Sequence, residues 1–270
     1  MNSSGYTKPI VLVFSAHDPS GAAGVQADIE TIACTGCHCV SVITATTAQN
    51  TTRFDRLTPQ DPARFRRQTE VLLSDLEFHA CKIGMPGSIE LIEIIAHFLK
   101  NRSDTPIVLD PIMAAGTGEE LASKESLNRL METLIPLTTV LTPNTEEAFA
   151  LTDTDDRQAA ADKFFTRGCK NVLITGADED TPRVINTLFR NDQAPFRFEW
   201  ERLPHKYHGS GCTLSSGITG FLARGFDVYT AVEKAQQYTW QTLKHGMKLG
   251  NNQWHPNRFF NYRNENVWQA

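Results

Sequence analysis

Ile10-Val-Leu-Val-Phe14, Val25-Gln-Ala-Asp-Ile-Glu-Thr-Ile-Ala-Cys34 and Cys39-Val-Ser-Val-Ile-Thr44 together decide the fold class. The first is a short apolar run and the third is rich in β-branched residues, as buried strands are. The middle stretch reads as a helix, and Gly36 stands where that helix closes. A glycine-bearing loop, Asp18 to Gly24, joins the first strand to it. The spacing predicts a strand–helix–strand unit with its two strands parallel.

The alternation continues along the chain. Asp61-Pro62 is an N-cap followed by proline at the first helical position, opening a helix to about residue 75. Residues 80–83 and 107–109 are buried-type strands separated by a helix over 88–101. A helix over 123–134 precedes a short strand at 139–141, and Asn144 caps the next helix, which carries Glu147. A helix over 156–167, ended by Gly168, leads into a strand at 171–175. Residues 184–189 and 196–200 read as a strand pair, and long helices follow over 211–223 and 228–248. Short apolar strands alternating with amphipathic helices predict a mostly parallel sheet covered on both faces. No repeat, low-complexity tract or linker interrupts residues 1–270, so one domain is expected, with 1–8 and 251–270 less ordered.

Ligands of open α/β sheets gather at the carboxyl ends of the strands. The polar motifs fall there: Asp18 after the first strand, Gln49 beyond the second, Met85, Asp110, the pair Asn144 and Glu147, and Thr175. Later comes His208-Gly-Ser-Gly-Cys-Thr-Leu-Ser-Ser216, a glycine-rich turn that runs into a helix. The first N–H groups of a helix have no internal partners, so such a turn can hold an anion beside Cys212. It reads equally as a tight turn with a small buried cysteine.

Composition narrows the class. An apolar share of 40% and a charged share of 21% over 270 residues fit a soluble globular protein. A net charge of −5 argues against a nucleic-acid surface. No apolar run is long enough for a membrane span, and the first residues lack the apolar stretch of a secretion signal. Six scattered cysteines suit a reducing cytoplasm better than a disulfide framework. Cys34, Cys37 and Cys39 around His38 suggest zinc only weakly, because they fall on elements expected to diverge. A dinucleotide-dependent oxidoreductase is disfavoured: only Gly21 and Gly24 follow the first strand, short of the G-x-G-x-x-G fingerprint.

Six segments in one order resemble the hydroxymethylpyrimidine and phosphomethylpyrimidine kinases of thiamine biosynthesis, within the ribokinase superfamily. They are Asp18-Pro-Ser-Gly-Ala-Ala-Gly-Val-Gln-Ala-Asp28, Ser41-Val-Ile-Thr-Ala-Thr-Thr-Ala-Gln-Asn-Thr51, Lys82-Ile-Gly-Met85, Val108-Leu-Asp-Pro-Ile-Met113, Leu141-Thr-Pro-Asn-Thr-Glu-Glu-Ala148 and the 208–216 turn. The resemblance implies a three-layer α/β/α sandwich and phosphorylation of an aminopyrimidine alcohol, then of its monophosphate, by ATP with Mg2+. It also implies a cytoplasmic homodimer. Gly209, Ser210, Gly211 and Cys212 then form the catalytic anion hole, with the thiol as base if the helix N-terminus lowers its pKa. Gln49, Asp28, Gly21 and Met85 fall at the pyrimidine site. Thr175, Gly176 and Asn144 fall at the nucleotide phosphates, and Asp110 and Glu147 at magnesium.

Two departures stand out. Ala16 and Ala22 replace glycines usual in the family, and each added methyl is expected to narrow the substrate pocket. Lysines that many members carry at the position of Thr175 and near Gly116 are absent, with Lys206 as one possible replacement cation. Two alternatives stand beside this reading: a pyridoxal or pyridoxine kinase, since a related subgroup shares the cysteine turn, and a non-catalytic pyrimidine sensor, which the missing lysines motivate.

Overall fold

The computed structural model describes residues 8–113, 121–191 and 193–262. The strands are β1 (Ile10–His17), β2 (His38–Gln49), β3 (Phe54–Pro59), β4 (Ala80–Ile83), β5 (Ile107–Leu109), β6 (Val140–Leu141), β7 (Asn171–Ile174), β8 (Arg183–Arg190) and β9 (Phe196–Glu201). The helices are α1 (Gly24–Cys34), α2 (Pro62–Leu73), α3 (Ile89–Leu99), α4 (Lys124–Thr133), α5 (Thr145–Thr152), α6 (Arg157–Thr166), α7 (Ser210–Ala223) and α8 (Val228–Lys244). All nine strands form one sheet in the order β3-β2-β1-β4-β5-β6-β7-β8-β9. From β2 to β7 the pairing is parallel, while β3 at one edge and β8 and β9 at the other are antiparallel.

Side chains alternate along each strand, and the alternation sorts the helices into two layers. Leu12, Phe14, Ile83, Leu109, Leu141, Val172 and Ile174 point into a core shared with α2 to α6. Val11 and Val13 pack with Ile32 of α1, and Val108, Val140 and Leu173 pack with α7 and α8. The result is the three-layer α/β/α sandwich. Helix α7 is buried along almost its whole length, lying between the sheet and its neighbours α1 and α8. That explains its apolar and small-residue composition on all sides.

One sequence expectation needs correction, and one strand was unforeseen. Strand β2 runs through Gln49, so that residue ends the strand instead of lying beyond it. Strand β3 was not anticipated: Phe-Asp-Arg-Leu-Thr-Pro is a polar edge strand that buries too little to show a two-residue period. In the stretch beyond residue 250, Gln253, His255 and Arg258 are buried, while Phe259 and Tyr262 are exposed. Residues 1–7 and 263–270, expected to be less ordered, lie outside the described residues.

Candidate active site

Strand order reverses at β1, with β2 on one side and β4 on the other. Chain connections diverge at such a point and leave a crevice above the carboxyl ends of the strands. A cleft of about 1010 Å³ opens there. Its floor comes from the ends of β1, β4, β5, β6 and β7, one wall from the β2–β3 hairpin, and the other from the start of α7 and a face of α8.

Gly209 is the N-cap of α7, with φ at 87° and no side-chain cap on the helix. A Cβ at Gly209 would overlap the carbonyl oxygen of Ala22 and approach Arg258 Nη2 to 3.0 Å. Glycine is therefore required twice, by conformation and by space. Gly209, Ser210, Gly211 and Cys212 all line the cleft. With no capping side chain, the first N–H groups of α7 are left to what occupies the cleft.

The turn is tied to the loop after β1 through a buried carboxylate. Asp18 Oδ2 accepts hydrogen bonds from His208 Nε2 at 3.0 Å, Ala23 N at 3.0 Å and Ser20 Oγ at 2.9 Å, while Oδ1 accepts from Ser20 N at 2.8 Å. Burial alone would push Asp18 up, but the His208 and Ser20 hydrogen bonds outweigh it and hold the carboxyl at about 2. Sequence reading placed Asp18 at a strand end without seeing this latch.

Asp110 and Glu147 line the same cleft. Asp110 is 5% exposed, and its Oδ2 accepts from Ser215 Oγ of α7 at 3.1 Å. Burial pushes its carboxyl up, against the pull of Lys82 and the Ser215 hydroxyl. Glu147 completes a capping box on α5: its Oε2 accepts from Asn144 N at 2.9 Å, and Glu147 N donates to Asn144 Oδ1 at 2.8 Å. Burial and then the Asp110 charge raise Glu147 to about 8. Two recessed carboxyls that both resist ionisation, facing one cleft, form a site that a cation would relieve.

Cys212 is buried, and burial pushes its thiol up to about 12 despite nearby Lys82. The expectation of a lowered thiol pKa is thereby corrected: desolvation outweighs the helix terminus. Lys82 itself is fully buried on β4, its Nζ 3.0 Å from Asp28 Oδ1. Burial works against that charge, and the Asp28 carboxylate overcomes it, so the Lys82 pKa rises.

Asp28 is not the surface acid its helix pattern suggests. It is fully buried on α1, bound to Lys82 and accepting from Ser216 Oγ at 2.6 Å, and it does not line the cleft. Gly21 and Gly176 also lie outside the lining. Gly21 O accepts from Arg258 Nη1 at 3.2 Å, and Gly176 N donates to Asn186 Oδ1 at 3.1 Å. Both backbones are occupied within the protein. Thr175 and Asn144 do line the cleft.

Gln49 and Met85 both line the cleft. Ala16, Ala45 and Met85 form a small apolar cluster with Leu57, Ile112 and Leu121 packed against it. Among the described residues nothing hydrogen-bonds the Gln49 amide, which leaves its donor and acceptor for a ligand. Ala16 fulfils the expectation of a methyl at the pocket, whereas Ala22 is fully buried outside the lining and does not narrow it. Lys206 lies on the rim, and the position near Gly116 falls outside the described residues. Beside Thr175 the rim is acidic, with Glu146, Asp178 and Glu179. The cysteine cluster of the sequence does not converge: Cys34 and Cys37 donate to Arg258 O and Gly220 O, each at 3.3 Å. No group of three metal-ligating side chains occurs among the described residues.

The profile of the phosphomethylpyrimidine kinase family matches residues 18–257. The chain belongs to that family. A hydroxymethylpyrimidine/phosphomethylpyrimidine kinase of Haemophilus influenzae is 35% identical over 250 residues, spanning 89% of this chain and 93% of that protein. A phosphomethylpyrimidine kinase of Clostridium difficile superposes with a TM-score of 0.76 at 32% identity, over 87% of this chain and 100% of that one. The pyridoxal kinase of Staphylococcus aureus, solved in complex with ADP, gives a TM-score of 0.86 at 25% identity, over 94% and 95% of the two chains. The fold is thus that of the ribokinase-like vitamin kinases, and the protein is a phosphotransferase.

Proposed function

We propose that this kinase transfers the γ-phosphoryl group of ATP to the hydroxymethyl group of 4-amino-5-hydroxymethyl-2-methylpyrimidine. It then phosphorylates the monophosphate to the diphosphate used in thiamine biosynthesis. The observation that carries the reading is the uncapped start of α7 opening onto the cleft that Asp110 and Glu147 also line. Phosphoryl transfer is mostly positioning and charge stabilisation, and donors aimed at one point supply both. The apolar cluster of Ala16, Ala45 and Met85 suits a flat ring, and the Gln49 amide suits the ring nitrogen and amino group of an aminopyrimidine.

Asp110 and Glu147 fit magnesium by their chemistry: burial raises both carboxyls, and the Asp110 charge raises Glu147 further. Magnesium typically keeps several waters and takes only one or two protein carboxylates. When bound, the ion neutralises charge on the nucleotide phosphates. In this reading Thr175 and Asn144, which line the cleft, serve the nucleotide phosphates. Burial pushes the Cys212 thiol up, so its role in this reading is to position the substrate hydroxyl as a neutral thiol. It becomes a base only if a bound cation offsets the cost of the thiolate. Residues 1–270 act as one kinase unit, and we expect a homodimer in the cytoplasm; no described helix is long and apolar enough to cross a membrane.

The higher superposition on a pyridoxal kinase favours one competing reading, phosphorylation of pyridoxal. Coupled assays with the pyrimidine alcohol, its monophosphate and pyridoxal, run side by side, separate the two. Turnover of both pyrimidines is expected, and turnover of pyridoxal alone overturns the substrate assignment. Gln49→Leu is expected to raise KM for the pyrimidine about tenfold, the worth of one good hydrogen bond, and to leave KM for ATP unchanged.

A further inference from the structure

The tail that follows α8 returns to the anion turn and grips it from both sides. Ahead of the turn, Trp254 N donates to Lys206 O at 2.9 Å, and His208 N donates to Trp254 O at 3.0 Å. Behind it, Arg258 reaches the first turn of α7. Its guanidinium is 2% exposed. Nε donates to Thr213 Oγ1 at 3.1 Å; Nη1 donates to Gly21 O at 3.2 Å and to Glu30 Oε2 at 3.1 Å; Nη2 donates to Ala22 O.

These partners belong to separate segments. Gly21 and Ala22 lie in the loop after β1, Thr213 follows Cys212 directly, and Glu30 is on α1. The Ala22 carbonyl that Arg258 holds is the one packed against Gly209. A buried cation is a poor source of net stability, since desolvation cancels much of what its partners return. A planar fork does something an ammonium cannot: it fixes several acceptors at set distances at once. Here those acceptors set how far the loop after β1 stands from the N-terminus of α7.

We infer that Arg258 is a positioning residue for phosphoryl transfer, fixing the anion turn of α7 against the loop that Asp18 opens. The inference rests on reading that turn as the phosphoryl site. It touches no substrate and acts through Thr213, Ala22 and Gly209.

The test uses the full chain with Arg258→Lys and Arg258→Ala, measuring kcat and both KM values well below the melting midpoint. Folding is followed by circular dichroism. Arg258→Lys keeps the charge and loses the fork, so a fall in kcat of about 10- to 100-fold is expected, the cost of a misplacement near 1 Å. Both KM values should stay within about twofold, because ground-state binding is not what is lost. Arg258→Ala should fall further and recover with added guanidinium but not with methylammonium. A residue that serves stability alone would lower the melting midpoint and leave kcat per folded molecule untouched. Wild-type kcat in folded Arg258→Lys overturns the inference. If neither Arg258 variant folds, Thr213→Val decides: it removes the side-chain acceptor, a several-fold loss of kcat is expected, and an unchanged kcat overturns the inference. Wild-type turnover in Cys212→Ala would instead overturn the reading of the turn itself. A normal Arg258→Lys beside an impaired Cys212→Ala overturns only the clamp.

Discussion

Two helices begin at the same cleft and are finished in opposite ways. Helix α5 opens with a complete capping box, Asn144 with Glu147, and carries Glu146 and Glu147 in its first turn. Its early N–H groups are served, and its start is negative. Helix α7 opens on a glycine, with no side-chain cap and no acidic residue in its first turn. Its early N–H groups face the cleft unserved, and its start is positive. One N-terminus is closed and suited to a cation, the other open and suited to an anion. Magnesium nucleotide presents both charges, so the pair of helix ends defines an axis across the site.

The sharpest way to break this contrast is Gly209→Ala. The left-handed backbone and the Ala22 carbonyl leave no room for the methyl, so the turn must move. A loss of kcat of about 10³-fold, the scale of losing an oxyanion donor, is expected in whatever fraction folds. Cys212→Ala should follow, with kcat down about 100-fold at an unchanged melting midpoint, since the thiol faces the cleft and the backbone is untouched. Near-normal turnover would remove Cys212 from the chemistry. Glu147→Gln attacks the other end. It keeps an acceptor for Asn144 N but removes the charge, and the magnesium concentration for half-maximal rate should rise about tenfold. An unchanged magnesium dependence would leave Glu147 as a cap only.

The smallest effect is on stability. Asp18 sits at about 2 when folded, below its unfolded value, so its contribution is present above pH 4 and is lost as pH falls from 4 toward 2. Asp18→Asn should lower stability by about 2 kcal/mol at neutral pH and flatten that acid limb. A variant whose acid unfolding matches the wild type would show that His208 and Asp18 do not latch the turn.

Legibility in the sequence followed burial. Strands β4 and β5 were readable to the residue because continuous apolar runs have few alternatives, and the Asp61-Pro62 and Asn144 helix starts announced themselves through side-chain chemistry. Strand β3 escaped because an edge strand needs no apolar period. Asp28 sits in a helix pattern that ordinarily marks the surface, Lys82 is the one charge in a buried-type strand, and only the fold shows them facing each other between α1 and β4. Arg258 escaped for a similar reason, since partners more than 200 positions away leave no local mark. The cleft residues Gln49, Met85, Asp110, Asn144, Glu147, Thr175 and Cys212 were findable because strand ends and a glycine turn are local signals. Their neighbours Gly21 and Gly176 share those signals yet spend their backbone groups inside the protein.

The cysteines carry a consequence for handling and for kinetics. All six have thiols pushed upward, with Cys39, Cys169 and Cys212 at about 12, and burial is the leading cause each time. At neutral pH almost none of the sulfur is thiolate, and the thiolate is the form that alkylating agents and disulfides attack. The folded protein should therefore ignore mild electrophiles and tolerate air. Cys212, at the mouth of α7, then serves as a natural clock. Its labelling rate reports access to the turn, and a ligand that settles there should slow that clock in proportion to its occupancy.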